Sequence, residues 1–557
     1  MEYELPTEFD IIIIGTGVIE SIISAAASRI GKRVLHIDSN NYYGGLWASF
    51  NLDAIHKLSA NTEVLEPPTD LLNPDETTFA LGNDFFSLKN FKTDWHIPKA
   101  ETQPENENVE EKNEPESEEK PEKPMTQESL IKDGRKFNID LAPKLQFARG
   151  EFVELLISSN IARYSEYRSV SRVLTWLNGQ LETVPCSRSD VFANNKVTVI
   201  EKRMLMKLFM ALDSGDQEYL NYDNKTFRAF LTDKKLTPSL IHYVLYAISM
   251  STDETLCLQG IQNTKRFLDS LGRFGKTPFL FSMYGSGEIT QAFCRLSAVF
   301  GGIYALSQPL SSLIFDNENN FKGLICGKQR ISAEFLVMGA EKAPPEFIKS
   351  PPRSFIARAV FITDRSIMSS EKEHLTLLLY PPEGGKNSCV IIELGTLTGT
   401  CPKDLYLVHL ISQQVASPED DFKHCVENLF SKFEDDKKPK ILWSCFFSIP
   451  DSNALDLKTG VPGNVVLCPG PDLDLDYDDA VKKAKAIFSD LYPDTEFLPR
   501  APDPEDIIIE GDTEDRNDED EVVLKPEENT DKVAESETEA KSDNDQEVPK
   551  SENEHEE

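Results

Sequence analysis

At 557 residues, 39% of them aliphatic, aromatic or sulfur-bearing, the chain is long enough for two or more core-forming units. The formal net charge of -36 is uneven: residues 101–130 carry -8 and residues 510–557 carry -16, so these segments hold -24 and leave about -12 for the rest. A mildly acidic body without clustered lysine and arginine excludes nucleic acid as a ligand and docking on anionic membranes through a basic patch, while steering of a basic partner stays open.

Nine scattered cysteines, with no C-x-x-C pair and no His-rich segment, indicate neither a disulfide framework nor a metal site. Reduced thiols in a cytosolic protein are expected. The start, Met1-Glu-Tyr-Glu-Leu-Pro, lacks a basic n-region, and the apolar run Ile11–Ile14 is too short for a signal or spanning helix. The end, Glu-His-Glu-Glu, offers no prenylation motif, so any lipid handled is expected to belong to another protein.

In chain order, residues 9–38 read as one βαβ unit. The run FDIIII stops at Gly15-Thr16-Gly17, a helix follows with Ile19, Ile22, Ile23, Ala26 and Ile30 inward, and RVLHID forms the second strand. Residues 101–130, rich in Glu, Pro and Lys, predict a disordered insert, with structure resuming near Leu130. Residues 185–275 read as mainly helical. Thr198-Val-Ile-Glu201 is a capping box ahead of Ile200, Met204, Leu208 and Leu212, and Thr237-Pro238 starts another helix before the run LIHYVLYAISM. From 303 short strands take over: SSLIFDNENNFKGLICG as a hairpin, AEFLVMG as the next strand, and RAVFITD, HLTLLLY, SCVIIEL and DLYLVHLI as a mixed or antiparallel sheet. Beyond about 510 the acidic composition again predicts disorder.

The chemistry turns on Gly15-Thr16-Gly17-Val18-Ile19-Glu20. A dinucleotide turn needs one glycine for its bend, a second for pyrophosphate approach and a third for close helix–strand packing. Gly15 and Gly17 are present, and Asp38 sits where a ribose-binding acid belongs; Glu20 replaces the third glycine. Its carboxylate would repel a pyrophosphate, the close packing would be lost, and Glu20 could instead stabilise the N-terminus of its own helix. The unit is therefore expected to be a scaffold without a cofactor. Weaker signals are Gly285-Ser286-Gly287, which opens a helix but lacks a following Walker lysine, and His424-Cys425, which has no third catalytic group. Asn224-Lys-Thr226 matches a glycosylation acceptor but is discounted for lack of a signal segment.

Several runs together resemble the Rab escort proteins and their relatives, the Rab GDP-dissociation inhibitors. They are Ile14-Gly15-Thr16-Gly17 with Glu20, Asp38-Ser-Asn-Asn-Tyr-Tyr-Gly-Gly45, Arg135-Lys-Phe-Asn-Ile-Asp-Leu141, Tyr284-Gly-Ser-Gly-Glu288 and Arg295-Leu-Ser-Ala-Val-Phe-Gly-Gly302. The resemblance implies an α/β fold similar to FAD oxidases, a Rossmann-type βαβ unit plus mixed sheets, with an inserted small all-helical domain and no redox chemistry. Domain I would comprise residues 1–100, 131–184 and 276–509; residues 185–275 would form helical domain II, and 101–130 and 510–557 the acidic insert and tail. Leu46 stands where the flavoprotein relatives carry an arginine after the paired glycines, which agrees with a lost cofactor site.

The resemblance also implies partners: GDP-bound Rab GTPases, the alpha/beta heterodimer of Rab geranylgeranyltransferase, the geranylgeranyl lipid of the Rab, and transient delivery to membranes. It carries Rab binding onto Tyr43, Glu288 and Arg295, the last two sharing a helix face at i and i+7. Residue type alone reads these as a solvated face with Tyr43 as packing. Ala305 departs from the methionine of the inhibitors at this platform. Transferase docking carries onto Phe192 and Arg203, which alone read equally as a core residue and a surface charge. These two, with the insert and the length, favour an escort protein over a dissociation inhibitor, the alternative. The run Ala501–Ile509 is expected near a groove for the Rab tail. No residue is expected to be catalytic and no metal is expected.

Overall fold

Four consecutive isoleucines, Ile11–Ile14, are fully buried, because their strand is covered on both faces. The computed structural model describes residues 4–58, 71–99, 125–186, 190, 197–213, 222, 224–433 and 437–500. Strand β1 (Glu8–Ile14), helix α1 (Val18–Arg29) and strand β2 (Val34–Ile37) make the expected βαβ unit. β1 runs parallel to β2 and to the long strand Gln329–Gly339, and the short strand Ile303–Ala305 adds in parallel to the outer side of β2. On the far side the hairpin Leu310–Phe315/Phe321–Cys326 pairs antiparallel, its turn closed by Asp316, which accepts from the Glu318 and Asn320 backbone N–H groups. With Thr77–Ala80 and Val465–Cys468 this sheet has eight strands among the described residues.

A second sheet of eight described strands runs, in spatial order, Gln180–Thr183, Arg172–Leu177, Thr376–Tyr380, Cys389–Leu394, Tyr406–Gln413, Phe355–Thr363, Ile441–Pro450 and Lys89–Trp95. All its pairs are antiparallel except Arg172–Leu177 with Thr376–Tyr380. Arg358, fully buried on this sheet, donates to the carbonyls of Leu141, Leu410 and Asp140. It thereby ties the Arg135–Leu141 run to the second sheet.

Helices Val199–Asp213, Phe227–Asp233, Pro238–His242 and Cys257–Ser270 lie between the strands ending at Thr183 and beginning at Phe279. The capping box is made: the Glu201 carboxylate accepts from the Thr198 N–H (2.9 Å), and the Glu201 N–H donates to Thr198 Oγ1 (3.3 Å). Thr237 Oγ1 also donates to Glu201 (2.6 Å), stapling two helix starts together. The run after Pro238 holds α geometry only to His242 and continues as a π-helix, Tyr243–Ile248, all but Tyr246 buried.

Two local expectations change. Ile200 is 71% exposed, while Leu205, Leu208 and Leu212 face the core. A strict four-residue spacing drifts around a 3.6-residue helix, whereas steps of three and four stay on one face. Helix Gln127–Lys132 begins inside the stretch 101–130 expected to be disordered, set by a Thr126–Ser129 capping box and the buried Leu130. Phe192, the run Ala501–Ile509 and the tail 510–557 lie outside the described residues.

Candidate functional site

The dinucleotide turn is occupied by the chain's own side chains. Asp38 Oδ2 accepts from the backbone N–H and hydroxyl of Thr16 (3.2 and 3.1 Å), while its Oδ1 accepts from the Asn40 N–H (2.9 Å) and pairs with Lys342 Nζ (3.1 Å). Its acceptor sites are spent before any ribose could reach them. Glu20 is 2% exposed and curls back over the turn. A Cβ on Gly17 would overlap its carboxylate, and one on Gly339 would stand 2.7 Å from Glu20 Oε1 and 2.5 Å from Glu341 Oε2. Close packing is therefore retained, contrary to expectation: every residue of Val18–Ser28 is buried, because the side chain bends into the space between the glycines.

Burial first, then the nearby Glu341 and Asp38, push the Glu20 carboxyl well above its ordinary range, opposed by a hydrogen bond from its own backbone N–H. Desolvation raises Glu341 as well, and Lys342 beside it pulls the other way. A flavin pyrophosphate does not fit here, since its negative charge would have to displace Glu20 from the N-terminus of α1. Gly44-Gly45 leads into Leu46, which supplies no positive charge either.

Of the predicted partner-binding residues, Glu288 and Arg295 lie on helix Gly287–Val299, which packs on α1, and Tyr43 lies on the loop after β2. The helix start is clamped. The Ser286 N–H donates to Asp140 Oδ1 (3.0 Å), the Gly287 N–H donates to Ser49 Oγ (2.8 Å), and Ser49 Oγ donates to Asp140 (2.5 Å). A Cβ on Gly285 would lie 2.7 Å from Asp140 Oδ1, and one on Gly287 2.8 Å from Ser49 Oγ, so both glycines are needed for the close approach. The donors that could have cradled a phosphate at Gly285-Ser286-Gly287 thus serve the chain itself. Ser49 and Asp140 are paired across the two-residue ladder Ser49–Phe50/Ile139–Asp140. Burial pushes the Asp140 carboxyl up to about 6, against the pull of its hydrogen bonds and of Arg358.

From this clamp the outer face of the helix presents Glu288, half-buried, then Gln291 and Arg295, both exposed. The Gln291 amide donates to Glu288 (3.4 Å), and burial raises the Glu288 carboxyl. The Arg295 guanidinium lies 4.8 Å from the centre of the Tyr164 ring, a cation–π contact. Val299 at the end of the helix and Ile303 and Tyr304 beyond it are exposed, and the Tyr304 and Tyr43 rings lie 6.1 Å apart. Burial, then a hydrogen bond to Tyr304, raises the Tyr43 phenol. Ala305 is fixed by backbone pairing, its carbonyl accepting the Asp38 N–H (3.0 Å).

Arg203 projects into solvent from helix Val199–Asp213, with the exposed Val199 and Ile200 one turn before it. Cys425 contacts His424 (3.3 Å), but burial raises its thiol far beyond neutral pH, so it supplies no thiolate nucleophile. Among the described residues, no cluster of three or more His, Cys, Asp or Glu side chains could hold a metal ion, and no helix is long and apolar enough to cross a membrane.

Sequence reasoning missed Tyr304, Tyr164, Glu341 and the Asp140–Ser49 clamp. Tyr304 follows Gly301-Gly302 on a strand too short to show alternation, and Glu341 reaches Glu20 from more than three hundred residues away.

The chain thus has a dinucleotide-type α/β fold whose cofactor turn is filled by its own carboxylates, beside a face that carries tyrosine, arginine and glutamate. In agreement, the GDP dissociation inhibitor family model matches residues 5–75, and a model described as RAE1/2 domain I, C-terminal region, matches residues 356–473. Rab GDI from Plasmodium falciparum shares the fold, with a TM-score of 0.61 and 17% identity over 88% of this chain and 100% of that one. An oxidoreductase from Methanosarcina mazei superposes at TM-score 0.50 and 11% identity, over 86% of this chain and 100% of that one. Closer in sequence, Rab proteins geranylgeranyltransferase component A 2 of Mus musculus is 36% identical over 92% of this chain and all of its own. Component A of Drosophila melanogaster is 36% identical over 91% and 93%. The chain belongs to the family of Rab geranylgeranyltransferase component A, the Rab escort proteins.

Proposed function

We propose that the chain is the accessory component of Rab geranylgeranyltransferase, carrying no catalytic residue itself. It binds newly made GDP-bound Rab GTPases on the Tyr43, Glu288 and Arg295 surface. It presents the flexible Rab tail to the transferase alpha/beta heterodimer, held at Phe192 and Arg203 on helical domain II, residues 185–275. After transfer it shelters the geranylgeranyl group, whose exposure costs roughly 0.8 kcal/mol per CH₂, and carries the lipidated Rab through the cytosol to membranes. The observation that supports this reading is the set of accessible side chains Tyr43, Tyr304, Arg295 and Glu288, on and next to a helix beside a turn that the chain's own carboxylates fill.

The test is transfer of labelled geranylgeranyl to a Rab by purified transferase, with and without this protein. Stimulation that requires Glu288 and Arg295 is expected. Extraction of prenylated Rab from membranes without any stimulation would replace this reading with a dissociation inhibitor.

A further inference from the structure

We infer that Tyr284 is a further GTPase-contact residue, an aromatic anchor at the N-terminal end of the Glu288–Arg295 face; this rests on the partner-binding reading above. Tyr284 adopts φ +65°, in the left-handed region that bulky side chains rarely enter, yet half of its surface is in solvent. Such a backbone persists only where the surroundings impose it, and such positions gather at ligand contacts.

The surroundings impose it from three sides. The Tyr284 N–H donates to the Thr398 carbonyl (2.8 Å), and Ser282 Oγ donates to the Gly285 carbonyl (2.9 Å). The ring lies against Gly399, where a Cβ would come 2.6 Å from Cδ1 and Cε1, and the Gly399 carbonyl is held by the Asn138 amide (3.0 Å). Glycine would satisfy this backbone without strain, as it does at the next residue, Gly285, with φ +105°. A tyrosine here adds only its ring, and the ring is not part of the core.

Its placement gives the ring a use. Tyr284 precedes Glu288 by four residues and Gln291 by seven, and the Asp140–Ser49 clamp fixes the first helical turn between them. An exposed Tyr284 thus stands just ahead of the helix that carries Glu288 and Arg295, and Tyr304, beside Tyr43, follows that helix in the chain. Rigid aromatics held before binding, flanking a charge pair, are the arrangement that concentrates binding energy at interfaces.

The experiment measures affinity for a GDP-loaded Rab GTPase, with thermal midpoints in parallel, for Tyr284→Gly, Tyr284→Ala, Tyr284→Phe and Glu288→Ala. Expected are losses of about tenfold or more for Gly and Ala, near-wild-type affinity for Phe, and a Gly variant at least as thermostable as the wild type. A ring that merely covers Gly399 would give the opposite split: unchanged affinity and a lowered midpoint. Wild-type affinity in Tyr284→Ala beside weakened Glu288→Ala overturns the Tyr284 assignment and leaves the surface standing. Wild-type affinity in both overturns the surface itself and Tyr284 with it.

Discussion

Glu20 is a carboxylate in a place where most chains of this fold need nothing larger than hydrogen. Its Oε2 is buried without a hydrogen-bond partner, Glu341 and Asp38 lie close, and only its own N–H compensates. A folded-state pKa raised above the ordinary value means that stability from this group is present at low pH and lost as pH rises through the folded value. Glu20→Gln removes the charge and keeps the shape. The difference in thermal midpoint between the Gln variant and the wild type should therefore widen, in favour of Gln, as pH rises above about 4.5. A difference that stays flat from pH 4 to pH 8 would mean that Glu20 is not held above its ordinary range.

At the scale of elements, the proposed partner contacts depend on how two helices are held. Helix Gly287–Val299 is fixed at its start by Asp140 and Ser49, so Glu288 and Arg295 inherit their positions from a two-residue ladder elsewhere in the chain. Helix Val199–Asp213 is fixed by Thr198 and by Thr237 through the single carboxylate of Glu201. Its exposed face carries Arg203 between Ile200 and Met210, both more than half exposed. Arg residues beside apolar side chains are enriched at interfaces. Arg203→Ala and Phe192→Ala should each weaken transferase binding about tenfold or more while leaving affinity for the GDP-loaded Rab unchanged. Pull-down against both partners checks it, and parallel loss of both affinities would refute the division of labour.

For the whole molecule, a buried cation ties the second large sheet to the short ladder Ser49–Phe50/Ile139–Asp140. Arg358, with its guanidinium pulled down to about 9 by burial, is bonded to three backbone carbonyls and faces Asp140. Removing it leaves those carbonyl acceptors unpaired in the interior. Arg358→Ala should cost about 3–5 kcal/mol in unfolding free energy, read from denaturant midpoints. A loss below about 1 kcal/mol would show that this junction is held by apolar packing alone.

Much of this architecture was legible from the chain. The βαβ unit, the hairpin at 310–326, the strands after 355 and the Thr198 and Thr237 caps follow from local periodicity and local hydrogen-bond chemistry, which neighbours in sequence settle between themselves. The same is true of the missing cofactor glycine, a single residue within one turn. The switch to π geometry after His242 was not legible, because an apolar run reads alike in either helix.

The sequence by itself determined the elements and the family resemblance, and that resemblance pointed to Tyr43, Glu288 and Arg295 as the residues proposed to bind the partner. Tertiary structure alone decided what surrounds them. Glu341 and Lys342 reach the turn of Gly15 from the far end of a parallel strand, Tyr304 reaches Tyr43 across a sheet edge, and Asp140 reaches Ser286 through a ladder that brings distant segments side by side. The reason is physical: charges and hydrogen bonds act over a few ångströms of space, and only the folded chain sets which distant residues come that close.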